Sequence, residues 1–573
     1  MPRTNDDVER GLLEFADLLA IVSDDPFKPR AYEKAARAVG GFPDDLAVLD
    51  DPGIRSIPNV GKSIAEKIRE YLDTGTFAEL ESLRAQVPSG VREMTAIPGF
   101  GPKKAMVVYQ ELGIQGLDEL VAAAEEGRLA GLKGFSKKTE ENVLRGVQRV
   151  RTSGGRVRLD EALDVAELLL ERLRGMREIR RADYAGSLRR MAETIGDVDL
   201  LVASDRAEPV MEAFTGFGPV EQVLAKGDTK SSIVTRTGLQ VDLRVVPLEA
   251  WGAAMIYFTG SKPHNVRIRE MAVRAGLKLN EYGLFDATTG DLIAAETEQD
   301  VYGHLGLPYI EPTLREDRGE VEAALAGELP SVVTQKQIRG DLHTHTNLTD
   351  GLAPLERMLE AAAGKGYAYY AVTDHAPNLW MQRMTDEKML AQRGELEKLR
   401  DRFPTMTLLH GTELNIDPDG NVDWDEAFLS SFDLTVASVH SHFGQSREEM
   451  TRRVIRAMEN PCVNVIGHLT TRKIGRRDPV DLDLEAVFAT AARTGTALEI
   501  NAYPDRLDLR DEHVLWARRH GVRFAIDTDS HAIVHLDLMR YGVGVAQRGW
   551  LTKDDVINAW PLTKLRKFLR KGT

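Results

Sequence analysis

Three aspartates lie in apolar, strand-like runs near the middle of this 573-residue chain. Asp197 and Asp199 are two residues apart, so on an extended strand both side chains leave by the same face. Asp242 lies in a second run of this kind, residues 239–246. Carboxylates that share a small volume repel each other unless cations lie between them, and oxygen ligands suit Mg²⁺ or Mn²⁺. These aspartates predict a two-metal site for phosphoryl transfer.

A phosphate-binding loop is predicted just before the aspartate pair. Gly186 and Ser187 open a helix-like segment, where backbone N–H groups and a hydroxyl can face an anion. Arg190 adds a guanidinium fork for phosphate oxygens, and Gly196 immediately precedes Asp197. One aspartate in such a run is usually a turn or surface residue. Three acids beside a Gly-Ser loop favour a reactive site.

The first 150 residues contain three Gly-x-Gly-like turns that each open a helix. Glycine lets the backbone approach a phosphate, and the helix N-terminus presents free N–H donors. Lysine supplies charge there without reading bases. One copy would be explained by a plain turn between helices, whereas three copies resemble helix-hairpin-helix motifs that contact a DNA backbone. The glycines and lysines expected to contact DNA are Gly61, Lys62, Gly99, Gly101, Lys103, Lys104 and Lys137.

The segments around the aspartates predict an α+β domain. A helix at residues 159–174 leads into the strand of Asp197, and alternating apolar patterns predict further strands at residues 220–224, 232–236 and 240–246. Further along are Tyr257, Phe258 and Gly260, followed by Asn265 and Arg269 at helical spacing. Tyr257 and Phe258 can be core residues, and Asn265 and Arg269 can lie on a solvated helix face. Alternatively, these residues face the base and sugar of a bound nucleotide.

Together these features make residues 1 to about 320 similar to a family X DNA polymerase, related to polymerase beta. The resemblance implies templated addition of dNTPs to a primer in gapped DNA, with base-excision repair as the setting. It implies that Asp197 and Asp199 hold both Mg²⁺ or Mn²⁺ ions. Asp242 would hold the catalytic ion and help to accept the proton of the primer 3′-OH. The implied nucleotide contacts are Gly186, Ser187, Arg190, Gly196, Tyr257, Phe258, Gly260, Asn265 and Arg269.

Lys67 matches the Schiff-base lysine of the polymerase beta lyase domain by position. A lysine nucleophile needs burial or neighbouring cations, and Lys62 can contribute such a charge. An exposed helix lysine that touches a DNA phosphate is the open alternative.

The C-terminal third has a pattern of its own. Seven short apolar runs each end in a residue that can bind metal, and helix-like segments separate them. Eleven of the thirteen histidines lie after residue 340. Buried parallel strands that alternate with helices and carry polar groups at their carboxyl ends describe a β/α barrel. Seven units rather than eight predict a distorted one.

Histidines at these strand ends predict a metal cluster. His343 and His345 place two imidazoles on one strand face, and Asp529 and His531 repeat this geometry. Nine nitrogen and oxygen ligands are too many for one ion and enough for three shared ions. Five histidines fit the pattern less well and are expected to be structural: His410, His442, His513, His520 and His535.

Residues 338–573 accordingly resemble a PHP (polymerase and histidinol phosphatase) domain, and a family X polymerase followed by this domain is similar to the layout of bacterial PolX proteins. The implied activity is a Mn²⁺-dependent 3′→5′ exonuclease, with 3′-phosphatase or abasic-site endonuclease activity as related chemistry. A phosphatase on small phosphomonoesters is the alternative. Three Mn²⁺, Zn²⁺ or Fe²⁺ ions are implied, and Arg472 is expected to bind the substrate phosphate. The implied ligands are His343, His345, Asp350, His375, Glu413, His440, His468, Asp529 and His531.

Composition agrees with a multidomain intracellular protein. The single cysteine, Cys462, excludes an internal disulfide and points to a reducing cytoplasm. No apolar run approaches the roughly 18 residues of a membrane span, and we expect a monomer. The net charge of −15 argues only weakly against a nucleic-acid partner, because acids in metal sites lower the sum.

The expected architecture is multidomain, with α-helical N-terminal domains, an α+β nucleotidyltransferase palm and thumb, and a distorted (β/α)7 PHP barrel. A small-molecule nucleotidyltransferase fused to a phosphatase would also carry the Gly-Ser and Asp-x-Asp pattern, but the hairpins count against it. A non-catalytic DNA-binding scaffold is disfavoured by the complete ligand sets. The expected domains are a lyase-like helical domain at 1–85, a helix-hairpin-helix domain at 86–150, the palm at 151–247, the thumb at 248–318, a linker at 319–337 and the PHP domain at 338–573.

Overall fold

The computed structural model describes most of the chain. The described residues are 5–22, 25, 27–40, 42, 46–87, 91, 94, 97, 100, 102–132, 135, 137, 139–140, 143–144, 147, 156–382 and 384–571. None of the helices within these ranges is both long and apolar enough to cross a membrane.

The N-terminal part is helical, as predicted. Its apolar helix faces form one core, in which the Phe15 ring packs edge-on against Tyr32 and Phe77 with ring centroids 4.7 and 5.0 Å apart. Gly61 precedes one of these helices as its N-terminal cap residue. The described helices are Asn5–Val22, Phe27–Gly40, Asp51–Arg55, Lys62–Thr74, Ala78–Gln86, Pro102–Leu112 and Leu117–Glu125, with a 3₁₀ turn at Leu46–Val48.

A five-stranded sheet carries the three aspartates. Its spatial order is Arg181–Tyr184, Asp197–Ala203, Gln240–Val246, Lys230–Thr235 and Val220–Lys226. The two aspartate strands pair in parallel, and the remaining pairs are antiparallel. Helices Leu159–Arg174 and Ala207–Thr215 share a core with Leu200 and Val202 of the sheet. Short strands Val157–Arg158 and Thr194–Ile195 pair beside it.

The next region packs on the opposite side of that sheet. Leu201 alternates with Leu200 and contacts the helix Trp251–Thr259 through Ala254 and Met255. This alternation places Asp197 and Asp199 on the face that looks toward the helix. The region's elements are the helices Trp251–Thr259, Lys262–Arg274 and Glu298–His304, the 3₁₀ turns Leu248–Ala250 and Pro312–Leu314, and the antiparallel strands Leu277–Asn280, Gly283–Asp286 and Leu292–Ala294.

Residues 319–337 are more ordered than the linker expected from their polar sequence. They contain the helix Glu320–Ala326, whose Glu320 is fully buried and lies 2.7 Å from Nδ1 of His264. Further on, the Val333 N–H donates to the Leu551 carbonyl at 2.8 Å. The segment is therefore packed against both of its neighbours, because its few apolar and buried polar groups find partners there.

Seven parallel strands form a nearly closed barrel in the C-terminal region, which confirms the predicted distorted barrel. They pair in chain order, and a bridge between Thr344 and Ser530 brings the first and last strand ends together. The strands are Gly340–Asp341, Tyr369–Val372, Thr407–Asn415, Leu434–Ser438, Val465–Ile466, Ala497–Asn501 and Phe524–Asp527. The helices are Leu355–Gly364, Asp386–Leu399, Glu426–Leu429, Arg447–Glu459, Leu484–Thr494, Asp511–Arg519, Met539–Arg548 and Leu562–Leu569. The 3₁₀ turns are Gln335–Gln337, Trp380–Gln382, Arg400–Arg402, Ile533–Leu538 and Ile557–Ala559.

Gly340 begins the first barrel strand, where the neighbouring backbone leaves no room for a side chain. A Cβ atom at this position would overlap the carbonyl oxygen of Tyr369 on the adjacent strand. We expect Gly340→Ala to lower the free energy of unfolding by about 1–3 kcal/mol, because the strands must separate locally. Gly303→Ala is the matched control, since no described atom lies within 4 Å of its added Cβ. Calorimetric unfolding of the full chain checks this, and equal transitions for both variants would contradict it.

Candidate functional site

The three sequence-predicted aspartates converge near the beginning of two central strands of the five-stranded sheet, in the region predicted as the palm. Asp199 lies directly opposite Asp242 in the parallel strand pair, so their side chains leave the sheet together. Burial and the negative charges of Asp197 and Asp242 raise the pKa of Asp199 to about 7. This repulsion is what a divalent cation would relieve, and a donor set of carboxylate oxygens fits Mg²⁺ or Mn²⁺.

Asp242 has cationic and amide partners of its own. Lys230 Nζ lies 2.7 Å from Asp242 Oδ2, and the Gln240 amide donates to Oδ1 at 2.9 Å. Burial opposes ionisation here, but the hydrogen bonds from Lys230 and Gln240 still lower the pKa of Asp242. Lys230 was not predicted from the sequence, because it lies on a strand that reaches Asp242 only through sheet pairing.

The Gly-Ser loop lies against the same carboxylates. Gly186 has a φ of +62°, and a Cβ there would come within 2.5 Å of Asp199 Oδ2. Ser187 follows in the short helix Gly186–Arg189. Both the backbone angle and the close approach require glycine, so the loop can bring its N–H groups next to the aspartates. Gly196 immediately precedes the aspartate strand, and an added Cβ there would meet Arg156 at 3.2 Å.

Two arginines tie this loop to the region that follows the palm. Arg190 Nε lies 3.0 Å from Glu316 Oε1, and its Nη1 donates to the Thr259 carbonyl at 2.6 Å. Arg189 pairs with Glu298 at 2.6 Å. Glu298 also pairs at 2.8 Å with the fully buried Arg315. Sequence reasoning missed Glu298 and Glu316, because nothing local marks them as partners of arginines more than 100 positions away. It also missed Arg315, which pairs with Glu298 17 positions away.

The residues predicted to face a nucleotide form one constellation beside the aspartates. Tyr257 is 38% exposed, and its ring lies edge-on to Phe258 at 5.1 Å. The guanidinium of Arg244, on the strand of Asp242, lies 4.7 Å above the Phe258 ring. Asn265 donates to the Tyr257 carbonyl at 2.7 Å, and its buried Oδ1 has no hydrogen-bond partner among the described residues. Arg269 donates to the Asn265 carbonyl at 3.1 Å, and Gly260 caps the helix of Tyr257.

Lys67 lies in the N-terminal helical region and is only 8% exposed. Its Nζ donates to Glu79 Oε1 at 2.6 Å and to Ser63 Oγ at 3.4 Å. The Lys67 hydrogen bond lowers the pKa of Glu79. The residue is therefore not an exposed helix lysine, although its amine is engaged by a carboxylate.

The predicted DNA contacts are only partly described. Lys62 is exposed at the start of its helix, and Lys137 is exposed as well. Lys104 Nζ lies 6.0 Å from the Phe135 ring. Gly99, Gly101 and the side chain of Lys103 lie outside the described residues.

The carboxyl ends of the barrel strands bring the nine predicted metal ligands into one cluster. Within it, three groups each offer ligand atoms within 4.8 Å of one another, and the groups share residues. His468, which belongs to none of them, lies 3.2 Å from Glu413 through its Nε2. The groups are His345, Asp350, His375 and His531; His343, His345 and Asp529; and His375, Glu413 and His440.

Several buried atoms of this cluster lack hydrogen bonds within the described chain. Buried polar atoms without partners are rare in folded proteins, so the unbonded nitrogen and oxygen atoms of this cluster fit the role of metal ligands. Burial opposes protonation, yet Glu499 and Glu413 raise the pKa of His343 above its ordinary value. Bound metal ions would take the place of the protons on these imidazoles and balance the negative charge of the carboxylates. A mixed imidazole and carboxylate set fits Mn²⁺, Zn²⁺ or Fe²⁺. The unbonded atoms are His343 Nε2, both ring nitrogens of His345, Asp350 Oδ1, His375 Nδ1 and His468 Nδ1.

Three buried acids behind the ligands were not predicted. Glu499 Oε1 lies 2.6 Å from Nδ1 of His343, and its other oxygen accepts the His468 N–H at 2.5 Å. Burial raises the pKa of Asp341 to about 7. Asp527 accepts the Leu342 N–H at 2.9 Å. The available signal was an acid inside an otherwise apolar strand, as in Ala497–Asn501.

Arg472 lies at the contact between barrel and palm. Its guanidinium is 2.7 Å from Glu193 Oε2 and donates to the Leu507 carbonyl at 2.5 Å. Its expected role as a phosphate ligand stays a prediction. Among the histidines expected to be structural, burial lowers the pKa of His410 to about 3, and its ring stacks on Phe432 at 5.1 Å.

Glu499 contacts the predicted metal ligand His343, so we expect Glu499→Gln to weaken metal binding by about 10- to 100-fold. The amide keeps the side-chain volume but loses the charge that fixes the His343 imidazole. Calorimetric titration of the chelated full chain with Mn²⁺ measures the change. Glu459→Gln is the control, because Glu459 is an exposed barrel acid that pairs only with Arg493 among the described contacts. Equal affinity in the two variants would contradict the orienting role.

Comparisons with known proteins cover nearly the whole chain. Family models match residues 3–77 as a helix-hairpin-helix domain, 91–149 as a SAM-like helix-hairpin-helix tandem, 254–316 as a DNA polymerase beta thumb and 341–503 as a PHP domain. The chain is 37% identical over 569 residues to the DNA polymerase/3′-5′ exonuclease PolX of Bacillus subtilis (strain 168), covering 99% of each protein.

Two further relatives each match one part. DNA polymerase lambda of Rattus norvegicus is 25% identical over 324 residues, 52% of this chain and 53% of that protein. A probable phosphatase of Thermoanaerobacter sp. (strain X514) is 27% identical over 244 residues, 40% of this chain and 94% of the phosphatase. Since the Bacillus subtilis similarity spans both proteins and the thumb and PHP models match, the chain belongs to the family X DNA polymerases with a C-terminal PHP domain.

Proposed function

We propose that this chain is a DNA-directed DNA polymerase that fills short gaps in DNA repair, and that its barrel processes 3′ ends as a 3′→5′ exonuclease. The main support for this proposal is the presence of two separate candidate metal sites in one chain. Asp197, Asp199 and Asp242 converge beside the Gly-Ser loop, and nine imidazoles and carboxylates gather in the barrel. The Bacillus subtilis relative carries both activities in its name.

In the polymerase site the aspartates would hold two Mg²⁺ or Mn²⁺ ions. Asp197 and Asp199 would bind both ions, and Asp242 would bind only the catalytic ion. Bound ions supply positive charge for the phosphates and for the primer 3′ oxygen. Asp242 helps to accept the 3′-OH proton, and its Lys230 partner holds the carboxylate in place. The Gly186–Ser187 backbone and Arg190 bind the triphosphate. The groups that face the sugar, the base and the nascent pair are Tyr257, Phe258, Gly260, Asn265 and Arg269.

In the barrel the three ligand groups would hold three Mn²⁺, Zn²⁺ or Fe²⁺ ions. Such ions supply hydroxide near neutral pH and polarise a phosphoester. The chain's own contribution is to fix the imidazoles, through Glu499 behind His343 and the Asp529 carbonyl, which lies 2.7 Å from Nδ1 of His531. Abasic-site endonuclease and 3′-phosphatase activity use the same hydrolysis. The probable phosphatase relative supports small phosphomonoesters as an alternative substrate.

The remaining expectations belong to the same proposal. The domain boundaries at residues 85, 150, 247, 318 and 337, the hairpin contacts with DNA and the monomeric state are inferred from the sequence. The reducing environment suggested by Cys462 supports a cytoplasmic location.

The two sites share no ligand, so each activity is expected to be lost separately. Asp199→Ala should abolish primer extension, by at least about 1,000-fold, and leave 3′ trimming intact, while Asp529→Ala should do the reverse. One gapped duplex incubated with dNTPs and Mn²⁺ reports extension and shortening together. Proportional loss of both activities in either variant would exclude the two-site model. Robust turnover of small phosphomonoesters without any trimming by the unaltered chain would favour the alternative.

Lys67 is proposed as a Schiff-base nucleophile for 5′-deoxyribose phosphate. Borohydride should trap a covalent adduct of the full chain on such a DNA end, and Lys67→Ala should remove it. Lys336→Ala, at an exposed position outside the helical region, is the control and should trap normally. An adduct that survives Lys67→Ala unchanged would leave a structural role for the Lys67–Glu79 pair.

A further inference from the structure

One arginine of the barrel reaches the loop assigned to the triphosphate. Arg548 ends the barrel helix Met539–Arg548 and is 8% exposed. Its Nη1 lies 2.6 Å from Glu316 Oε1 and donates to the Arg190 carbonyl at 2.8 Å. Its Nη2 and Nε atoms lie 2.9 and 3.0 Å from Asp511 Oδ2.

Glu316 connects the two guanidinium groups. The same Oε1 that contacts Arg548 accepts the Arg190 Nε–H at 3.0 Å. One carboxylate therefore lies between an arginine of the barrel and an arginine of the predicted nucleotide site. Because Arg190 also donates to the Thr259 carbonyl, its side chain is held from two sides and its backbone from a third.

Packing at this contact is close as well. Met191 follows Arg190 with a φ of +55°. A Cβ on Gly544, one helical turn before Arg548, would lie 2.7 Å from Met191 Cε. The glycine thus makes room for the methionine, and the barrel helix fits directly against the end of the nucleotide loop.

The charges at this contact influence how strongly the loop attracts an anionic ligand. Arg190, Arg548 and Arg318 face two largely buried carboxylates, Glu316 and Asp511. Arg318 also approaches the exposed Glu512 at 3.4 Å. Without Arg548, Glu316 would keep only Arg190 among its described arginine partners. The carboxylate would then neutralise more of the Arg190 charge, and an approaching triphosphate would meet a less cationic loop.

We propose that Arg548 is a positioning residue for nucleotide binding in the polymerase site, acting through Glu316 and the Arg190 backbone. The barrel would then be part of the polymerase's dNTP site, in addition to its own hydrolytic site. This inference rests on the proposed role of Arg190 as a triphosphate ligand.

Gap filling by the full-length protein at varied dNTP concentration tests it. Arg548→Met should raise the half-saturating dNTP concentration by roughly 5- to 30-fold, with a smaller effect on the saturating rate. The rate of 3′ trimming of the same DNA with Mn²⁺ should stay unchanged, whereas a loss of barrel structure would abolish it. Arg540→Met is the matched control, because Arg540 lies on the same helix and pairs with Glu167 of the palm at 3.1 Å. It should leave the dNTP dependence as in the unaltered chain.

Two further variants complete the test. Adding Glu316→Gln to Arg548→Met removes the uncompensated carboxylate and should restore part of the dNTP affinity. Arg548→Lys keeps the charge but cannot bridge Glu316, Asp511 and the Arg190 carbonyl together, so it should shift the same way by less. This variant carries the test if Arg548→Met fails to fold.

The outcomes separate the inference from the proposed function. If Arg190→Gln leaves the dNTP dependence unchanged, the triphosphate role of Arg190 fails. If Arg190→Gln shifts it while Arg548→Met and Arg548→Lys behave like Arg540→Met, the positioning role of Arg548 alone is overturned. If Arg548→Met loses trimming and extension equally, the decision passes to Arg548→Lys, and a dNTP dependence of that variant equal to that of Arg540→Met overturns the positioning role.

Discussion

Negative charge gathered at strand ends is the constraint on which both sites depend. In the palm, the parallel pairing of Asp199 with Asp242 places carboxylates side by side, and Lys230 supplies the nearest positive charge. In the barrel, Glu413 is nearly inaccessible and lies between His375 and His440 at 2.9 and 3.0 Å. Like charges at this depth are stable only with protons or cations between them. Each sheet therefore brings together a set of side chains that divalent ions would stabilise.

The clustering of the predicted ligands could be foreseen from the sequence because strand geometry is local. Asp197 and Asp199, or His343 and His345, share a face through the two-residue repeat of a strand, and this repeat is visible without a structure. Barrel topology then brings successive strand ends together, so even ligands far apart in the chain become neighbours. The same local logic predicted the helical N-terminal region and the seven-strand barrel.

Partners from distant parts of the chain could not be predicted in this way. Glu316 and Arg548 are 232 positions apart, and neither lies in a pattern that marks it as buried. The packed state of residues 319–337 was missed for a similar reason. Their sequence is polar, but Glu320 is buried by pairing with His264, which depends on the thumb being in place. The burial of a polar residue cannot be recognised from the sequence when its hydrogen-bonding or charged partner lies in a distant part of the chain.

This packed connection changes how a DNA end can reach both sites. A flexible tether would let the barrel swing toward the primer, whereas the barrel is fixed to the palm by Arg548 and by Arg472, which is only 7% exposed and pairs with Glu193. Separation of the two parts would break both ion pairs and the close packing of Gly544 on Met191 together, so these contacts hold the palm and the barrel in one arrangement. The contacts also join functional loops, since Arg472 follows His468 and Glu193 precedes Asp197 by four positions. A primer terminus that is extended in the palm and shortened in the barrel must therefore move between two fixed sites.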